Sequence, residues 1–317
     1  MQPETAIGKV ERGMVIPGVG TVSKVRSLVG IMDRLLGKHH NNSAVFLVNT
    51  IENRTFKLIT FLEQPSARQS SRTRVAAGRL DRFSCDNCVP KTFYVDDRSM
   101  VVGFVPGSVL TEGGFTEESA RDLGRFISAN QSSDVQATEV VVPDYERMFE
   151  KLRRSPEVDR ELLDALHVQF RRTSSFGESP RALCFFDSAM KNFVRTATGN
   201  LVYVDVFGIA PRLVGAACVR QTLAIPVPWR ESFLQAYLET SENATAIMER
   251  LPDYCLQHLL YRAAHQLDVP GTEHKRTLKR RRKRRLAYRA AMDSLRSCVD
   301  LPRTSDAFHS WLLTANV

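Results

Sequence analysis

Asp187 and Asn192 stand five residues apart in FFDSAMKNFV, and Asp205 follows thirteen residues after Asn192 at the end of LVYVD. A carboxylate, an amide and a second carboxylate, each beside an apolar β-rich run, form a set with a definite chemical use. One carboxylate orients an attacking hydroxyl and accepts its proton, while the amide oxygen and the other carboxylate hold magnesium on the phosphates of ATP. Hard oxygen donors suit that cation, and water completes its shell. Taken singly, an Asp can cap a turn and an Asn can adopt a left-handed loop conformation. The ordered set carries the reading.

FFDSAMKNFV resembles the catalytic loop of the protein-kinase-like superfamily, H-x-D-x4-N, and DVFG (205–208) resembles its D-F-G motif with one residue inserted. The resemblance implies Asp187 as the catalytic residue and Asn192 and Asp205 as magnesium ligands. Upstream, Lys57 occupies the place of the lysine that pairs with ATP phosphates, on the second strand of a hairpin. LLGKHHNNSAVFLV resembles the G-x3-N-x3-F/Y phosphate loop of small-molecule kinases, which implies Gly37 and Asn41 over the phosphates. VVGFVPGSVL resembles their hinge, with Val102 as gatekeeper and the backbone of Gly103, Phe104 and Val105 facing adenine. The likeness covers roughly residues 31–270. It is nearest to aminoglycoside phosphotransferases and to kinases of lipopolysaccharide core sugars, the latter through the catalytic loop and WRESFLQAYL. It implies a bilobal α+β fold, ATP and magnesium, and a sugar or membrane-bound glycolipid acceptor.

This sequence departs from the pattern at three places. Phe185 replaces the usual His, a residue that serves mainly as scaffold. The segment after Lys57 offers no evident Glu to pair with it; Asp81 is the candidate, since Glu63 lies too close to the strand. No Lys stands two residues after Asp187, although Lys191 is near, which favours a small-molecule or glycan kinase over a protein kinase. A pseudokinase whose basic tail recruits anionic lipid or nucleic acid, and a divergent Ser/Thr protein kinase, are the alternative readings. Nucleotide binding followed by turnover discriminates them.

These residues need a β-rich first part and a helical second part. AVFLVNT and TFKLITFL, separated by IENR, predict a hairpin, and KTFYVD and RSMVVGFV predict two further strands. Residues 22–36, VSKVRSLVGIMDRLL, read as helical, and 66–83 as a short helix with little to bury. From about residue 115 the texture turns helical. Thr116 is the expected N-cap of the first helix, with Glu118 in its first turn. The expected divisions are an N-terminal extension (1–30), an N-lobe with hinge (31–107), a C-lobe (108–270) and a basic C-terminal extension (271–317).

The formal charge of +9 is local: HKRTLKRRRKRR (274–285) holds nine Lys or Arg and no acid, so the remainder is near neutral. A solvated helix, an anionic membrane surface, a phosphorylated glycolipid, nucleic acid (the least favoured partner) and a nuclear localisation signal all fit such a run. No apolar stretch of membrane-spanning length or signal-peptide character is evident, so a cytoplasmic location, peripheral on a membrane if the tail docks, is expected. Cys85 and Cys88 have zinc-knuckle spacing without a second pair and read as a surface loop, while Cys184 reads as core.

Overall fold

The computed structural model describes residues 10–27, 43–61, 67–83, 88–131, 135, 139–140, 145–155, 158–172, 179–187, 189–267 and 278–315. In chain order the first strands are β1 (Val15–Ile16), β2 (Gly20–Ser27), β3 (Ser43–Thr50) and β4 (Thr55–Phe61). Helix α1 (Ala67–Leu80) precedes β5 (Thr92–Val95), β6 (Ser99–Gly103) and β7 (Ser108–Val109). Then come α2 (Glu117–Ala129), α3 (Tyr145–Arg153), α4 (Arg160–Arg172), β8 (Arg181–Phe185), β9 (Phe193–Arg195), β10 (Leu201–Tyr203) and β11 (Ile209–Leu213). The chain ends on α5 (Val214–Ala224), α6 (Arg230–Thr240), α7 (Ala244–Glu249), α8 (Leu251–Gln266), α9 (Leu278–Val299) and α10 (Ser305–Thr314).

Two compact units result, Met1–Thr111 with Lys191–Ala210, and Glu112–Met190 with Pro211–Val317. In the first, an antiparallel sheet runs in the order β1-β2-β3-β4-β6-β5. Alternation along β4 sends Phe56 and Leu58 into a core with Val22, Val48 and Val101, leaving Lys57 on the other face. Residues 20–27 form a strand rather than the expected helix: Val22 and Val25 pair with β3, and a register irregularity between Val22 and Lys24 lets residues three apart both face the core. Residues 28–36 of that expectation lie outside the described residues. Helix α1 does have a face to bury: Thr73, Ala76, Ala77 and Leu80 are almost wholly enclosed. Cys88 is buried too, not on a surface loop, and its carbonyl accepts from the Tyr203 amide.

A second, three-stranded sheet of this unit runs β10-β9-β7. Gly107 brings the chain into it: a Cβ there would lie 2.3 Å from the Arg195 carbonyl oxygen, so only glycine permits the approach.

In the helical unit, the Thr116 hydroxyl accepts from the Ser119 amide as the N-cap of α2. Helices α2 and α6 pack backbone to backbone, since a Cβ on Gly124 would meet the Phe233 carbonyl at 2.4 Å. The C-terminal segment is built into this unit. On α9, Tyr288, Ala291, Leu295 and Cys298 are buried, and α9 and α10 both pack against α8. The buried Arg230 guanidinium donates to the carbonyls of Leu223, Ile225, Leu312 and Ala315. Among the described residues, no helix is long and apolar enough to cross a membrane.

Candidate active site

Three of the sequence-predicted residues meet in the first unit. Lys57, mid-strand on β4, pairs with Leu47 on one side and Val102 on the other. Its ammonium donates to the Val204 carbonyl at 3.2 Å. Burial holds the Lys57 pKa below its ordinary value, opposed by the carboxylate of Asp205. Asp205 thus favours the charged form of this lysine, while α1 itself carries no Asp or Glu.

The β9–β10 hairpin positions the two expected metal ligands. Phe193 pairs with Tyr203, so Asn192 and Val204 meet just beyond the ladder, and the Val204 amide donates to the Asn192 carbonyl at 2.8 Å. Asn192 is buried at 8% exposure. Asp205 turns the chain, accepting from the Phe207 amide through its side chain and from the Gly208 amide through its carbonyl. Val206 is buried, while Phe207 meets Phe61 edge-on at 5.9 Å, with Arg72 over both rings. Arg79 of α1 donates to the Ile209 carbonyl, which ties this helix to the chain after DVFG. An amide and a carboxylate at one end of a hairpin are the hard oxygen donors that magnesium requires, so the residues fit that cation.

The segment expected to face adenine leaves β6 with two amides committed: Gly103 N–H donates to the Lys91 carbonyl and Phe104 N–H to that of Thr55. Val102 is fully buried beside Lys57. Gly37 and Asn41 lie outside the described residues.

Asp187 belongs to the helical unit, on the loop after β8. There β8 pairs with β11, whose residues from Pro211 onward are in this unit. Phe185, where the pattern has His, is fully buried and stacks on Phe126 at 5.5 Å. Gln221 donates to the Phe185 carbonyl and Arg220 to that of Phe186, so α5 grips the two residues before Asp187. The aromatic core and two side chains of α5 therefore set this loop. The Asp187 carboxylate accepts from the Ala189 amide, a local turn.

No protein-family model matches the chain, and no curated protein matches its sequence. Solved structures do. The choline kinase LicA from Streptococcus pneumoniae is 15% identical, aligns over 87% of this chain and 94% of its own, and gives a TM-score of 0.59. A choline/ethanolamine kinase family protein from Mesorhizobium loti is 14% identical over 92% of this chain and 93% of its own, with a TM-score of 0.59. The amicoumacin kinase hAmiN, in complex with AMP-PNP, Ca2+ and Ami, is 13% identical over 86% of this chain and 90% of its own, with a TM-score of 0.59. The chain therefore has the protein-kinase-like fold shared by these small-molecule kinases.

Sequence reading missed the residues around Phe186 that come from elsewhere: Arg212 on β11, Arg220 on α5, and Gln257 and His258 on α8. None belongs to a motif. The one available signal was polarity out of place, Gln257 and His258 within the apolar run YCLQHLLY.

Proposed function

We propose that this protein is an ATP- and magnesium-dependent phosphotransferase acting on a hydroxyl of a small molecule, specifically a sugar or glycolipid such as lipopolysaccharide core. The observation that carries the reading is the meeting of Lys57, Asn192 and Asp205 in one unit of a protein-kinase-like fold. Choline, ethanolamine and amicoumacin, named for the similar structures, point to a small-molecule acceptor, and AMP-PNP with Ca2+ to a nucleotide with a divalent cation. The sugar or glycolipid acceptor rests on the catalytic-loop and WRESFLQAYL likeness.

In this reading Asp187 orients the acceptor hydroxyl and takes its proton as the new O–P bond forms and the γ–β phosphoanhydride bond breaks, releasing ADP. Lys57 holds the phosphates. Asn192 and Asp205 hold magnesium, whose charge offsets that of the phosphates. Gly37 and Asn41 cover them, and Gly103 to Val105 face adenine, with the Val105 amide as the donor to the ring. The proposed lobes are 31–107 and 108–270, and the exposed basic start of α9, a helix packed on the second of them, meets an anionic membrane surface on its cytoplasmic side.

The test is calorimetric titration of AMP-PNP into the full chain with and without magnesium, followed by ATP turnover with sugars, core oligosaccharide, choline and a generic protein substrate. Magnesium-dependent binding with turnover on a sugar supports the reading. Absence of nucleotide binding leaves a non-catalytic module, and phosphorylation of protein alone makes the chain a protein kinase.

A further inference from the structure

The helical unit holds an open cleft of about 1010 Å³ whose wall includes Phe186, the residue before Asp187. That is the size of a small-molecule site. Among its described lining residues, five are basic (Arg147, Lys151, Arg154, Arg212 and Arg220) and one, Glu150, is acidic. A concave space lined mainly by one sign of charge focuses the potential within it and favours an anionic ligand.

Two details make this more than a basic patch. The guanidinium groups of Arg212 and Arg220 each lie 4.2 Å from the centroid of the Phe186 ring, and Arg220 Nε is fixed on the Phe186 carbonyl at 2.7 Å. Stacking of this kind presets a planar guanidinium, the state in which arginine recognises carboxylate or phosphate best. Independently, Nε2 of His258 and Oε1 of Gln257 are buried at the same cavity without a hydrogen-bond partner among the described residues; the two side chains are 8% and 5% exposed. A buried polar atom in that condition points to a bound group that completes it. Burial and then the nearby Arg220 and Arg262 push the His258 pKa down to about 3, so its imidazole meets a ligand neutral, with one ring nitrogen able to donate.

We propose that the phosphate acceptor itself carries an oxyanion, a phosphate or carboxylate, and that this cavity seats it against Arg212 and Arg220, with Arg147 and Arg154 at the rim. The inference rests on the phosphotransferase reading and narrows it to anionic sugars, against neutral or cationic acceptors. His258 and Gln257 then contact the polar body of the same molecule.

The test is titration of glucose 6-phosphate, glucuronate, glucose and choline into the full chain, with AMP-PNP and magnesium saturating so that nucleotide sites do not compete. At least one anionic sugar is expected to bind about tenfold or more tightly than glucose, with choline no better than glucose. Preference for glucose 6-phosphate assigns the oxyanion as phosphate, and preference for glucuronate as carboxylate. Arg212→Gln is expected to weaken the anion about tenfold while leaving glucose unchanged. Because Arg212 packs on Phe186, the exposed pair Arg147→Gln with Arg154→Gln is a second variant that spares the fold, with a loss of about threefold or more expected through the weakened field. Equal affinity for anionic and neutral sugars, tighter choline, no anion binding at 10 mM, or wild-type anion affinity in both variants overturns the inference. Nucleotide binding in the same experiment separates the two readings. AMP-PNP binding without anion preference leaves a phosphotransferase of another acceptor. Anion binding without AMP-PNP binding overturns the acceptor role along with the phosphotransferase reading.

Discussion

The Lys57 ammonium is bonded to the carbonyl of Val204, one residue before Asp205, in a setting where burial works against its charge and Asp205 works for it. The lysine and the expected metal ligand are therefore electrostatically linked before any nucleotide is present. Asp205→Asn removes both the charged oxygen proposed as a magnesium ligand and that support. Affinity for AMP-PNP in magnesium should fall by about tenfold or more, while the much weaker magnesium-free affinity changes little. The Lys57 pKa should drop further, read by NMR of labelled lysine. Unchanged calorimetric affinity in magnesium would remove Asp205 from the metal.

Asp187 has a different job, and its substitution should separate from the first. Asp187→Ala takes away the base proposed for the acceptor hydroxyl, so turnover should fall at least about a hundredfold. AMP-PNP affinity should stay within about threefold, because none of the proposed phosphate or metal contacts is lost. Near-normal turnover in this variant would end the assignment.

How much of this was legible in the sequence depends on what kind of signal each residue carries. The β3–β4 hairpin was readable because apolar residues alternate on both sides of a short polar turn, and Lys57 could be placed on it. Asp187, Asn192 and Asp205 could be singled out as candidates because their order and spacing repeat a known pattern. Strand β2 was misread: Val22, Val25 and Leu28 also satisfy a helical spacing, and only pairing with β3 decides between the periods. The basic segment was legible as a helix but not as part of the core, since Tyr288, Ala291, Leu295 and Cys298 find their partners on α8 rather than nearby in the chain. The cavity was not legible at all. Phe186, Arg212, Arg220 and His258 come from four elements, and no local pattern announces a charge balance made by tertiary packing.

His258 makes stability depend on pH in a window that can be written down. Its unfolded pKa is near 6.5, and in the fold it is about 3. Between these values the unfolded chain binds a proton that the folded one refuses, so stability is full above about pH 6.5 and declines as pH falls toward 3. The contribution lost at about pH 4.5 is roughly 2–3 kcal/mol. Urea unfolding of the wild type and of His258→Gln at pH 7 and 4.5 isolates it, since carboxylate effects common to both proteins cancel. The variant should lose visibly less stability on acidification. Parallel losses in the two proteins would show that His258 titrates normally.

The last prediction concerns the basic helix, whose two halves should behave differently. Arg282, Lys283 and Arg285 are exposed, whereas Arg284 donates to the carbonyls of His265 and Gln266 and so caps the end of α8. Further along α9, Leu295 and Cys298 are fully buried, as are Phe308 and Leu312 on α10. Deleting residues 271–317 would expose that surface and strip the buried Arg230 of its acceptors on Leu312 and Ala315. Each fully buried large apolar side chain contributes about 1.5–3 kcal/mol, so the deletion should unfold the helical unit or leave it aggregating. Truncation therefore cannot report on docking. Substituting Arg280, Arg281, Arg282 and Lys283 by Gln removes four charges, keeps helix propensity and leaves Arg284 in place. This variant should unfold within about 1 kcal/mol of the wild type. If the helix docks on an anionic surface, sedimentation with phosphatidylserine-containing vesicles at low salt should fall at least about tenfold in the variant, at about 1 kcal/mol per basic residue near the surface. Wild-type binding should weaken steeply with salt as exposed charges are screened. Equal vesicle binding by both proteins would leave the basic run as a solvated extension of a structural helix.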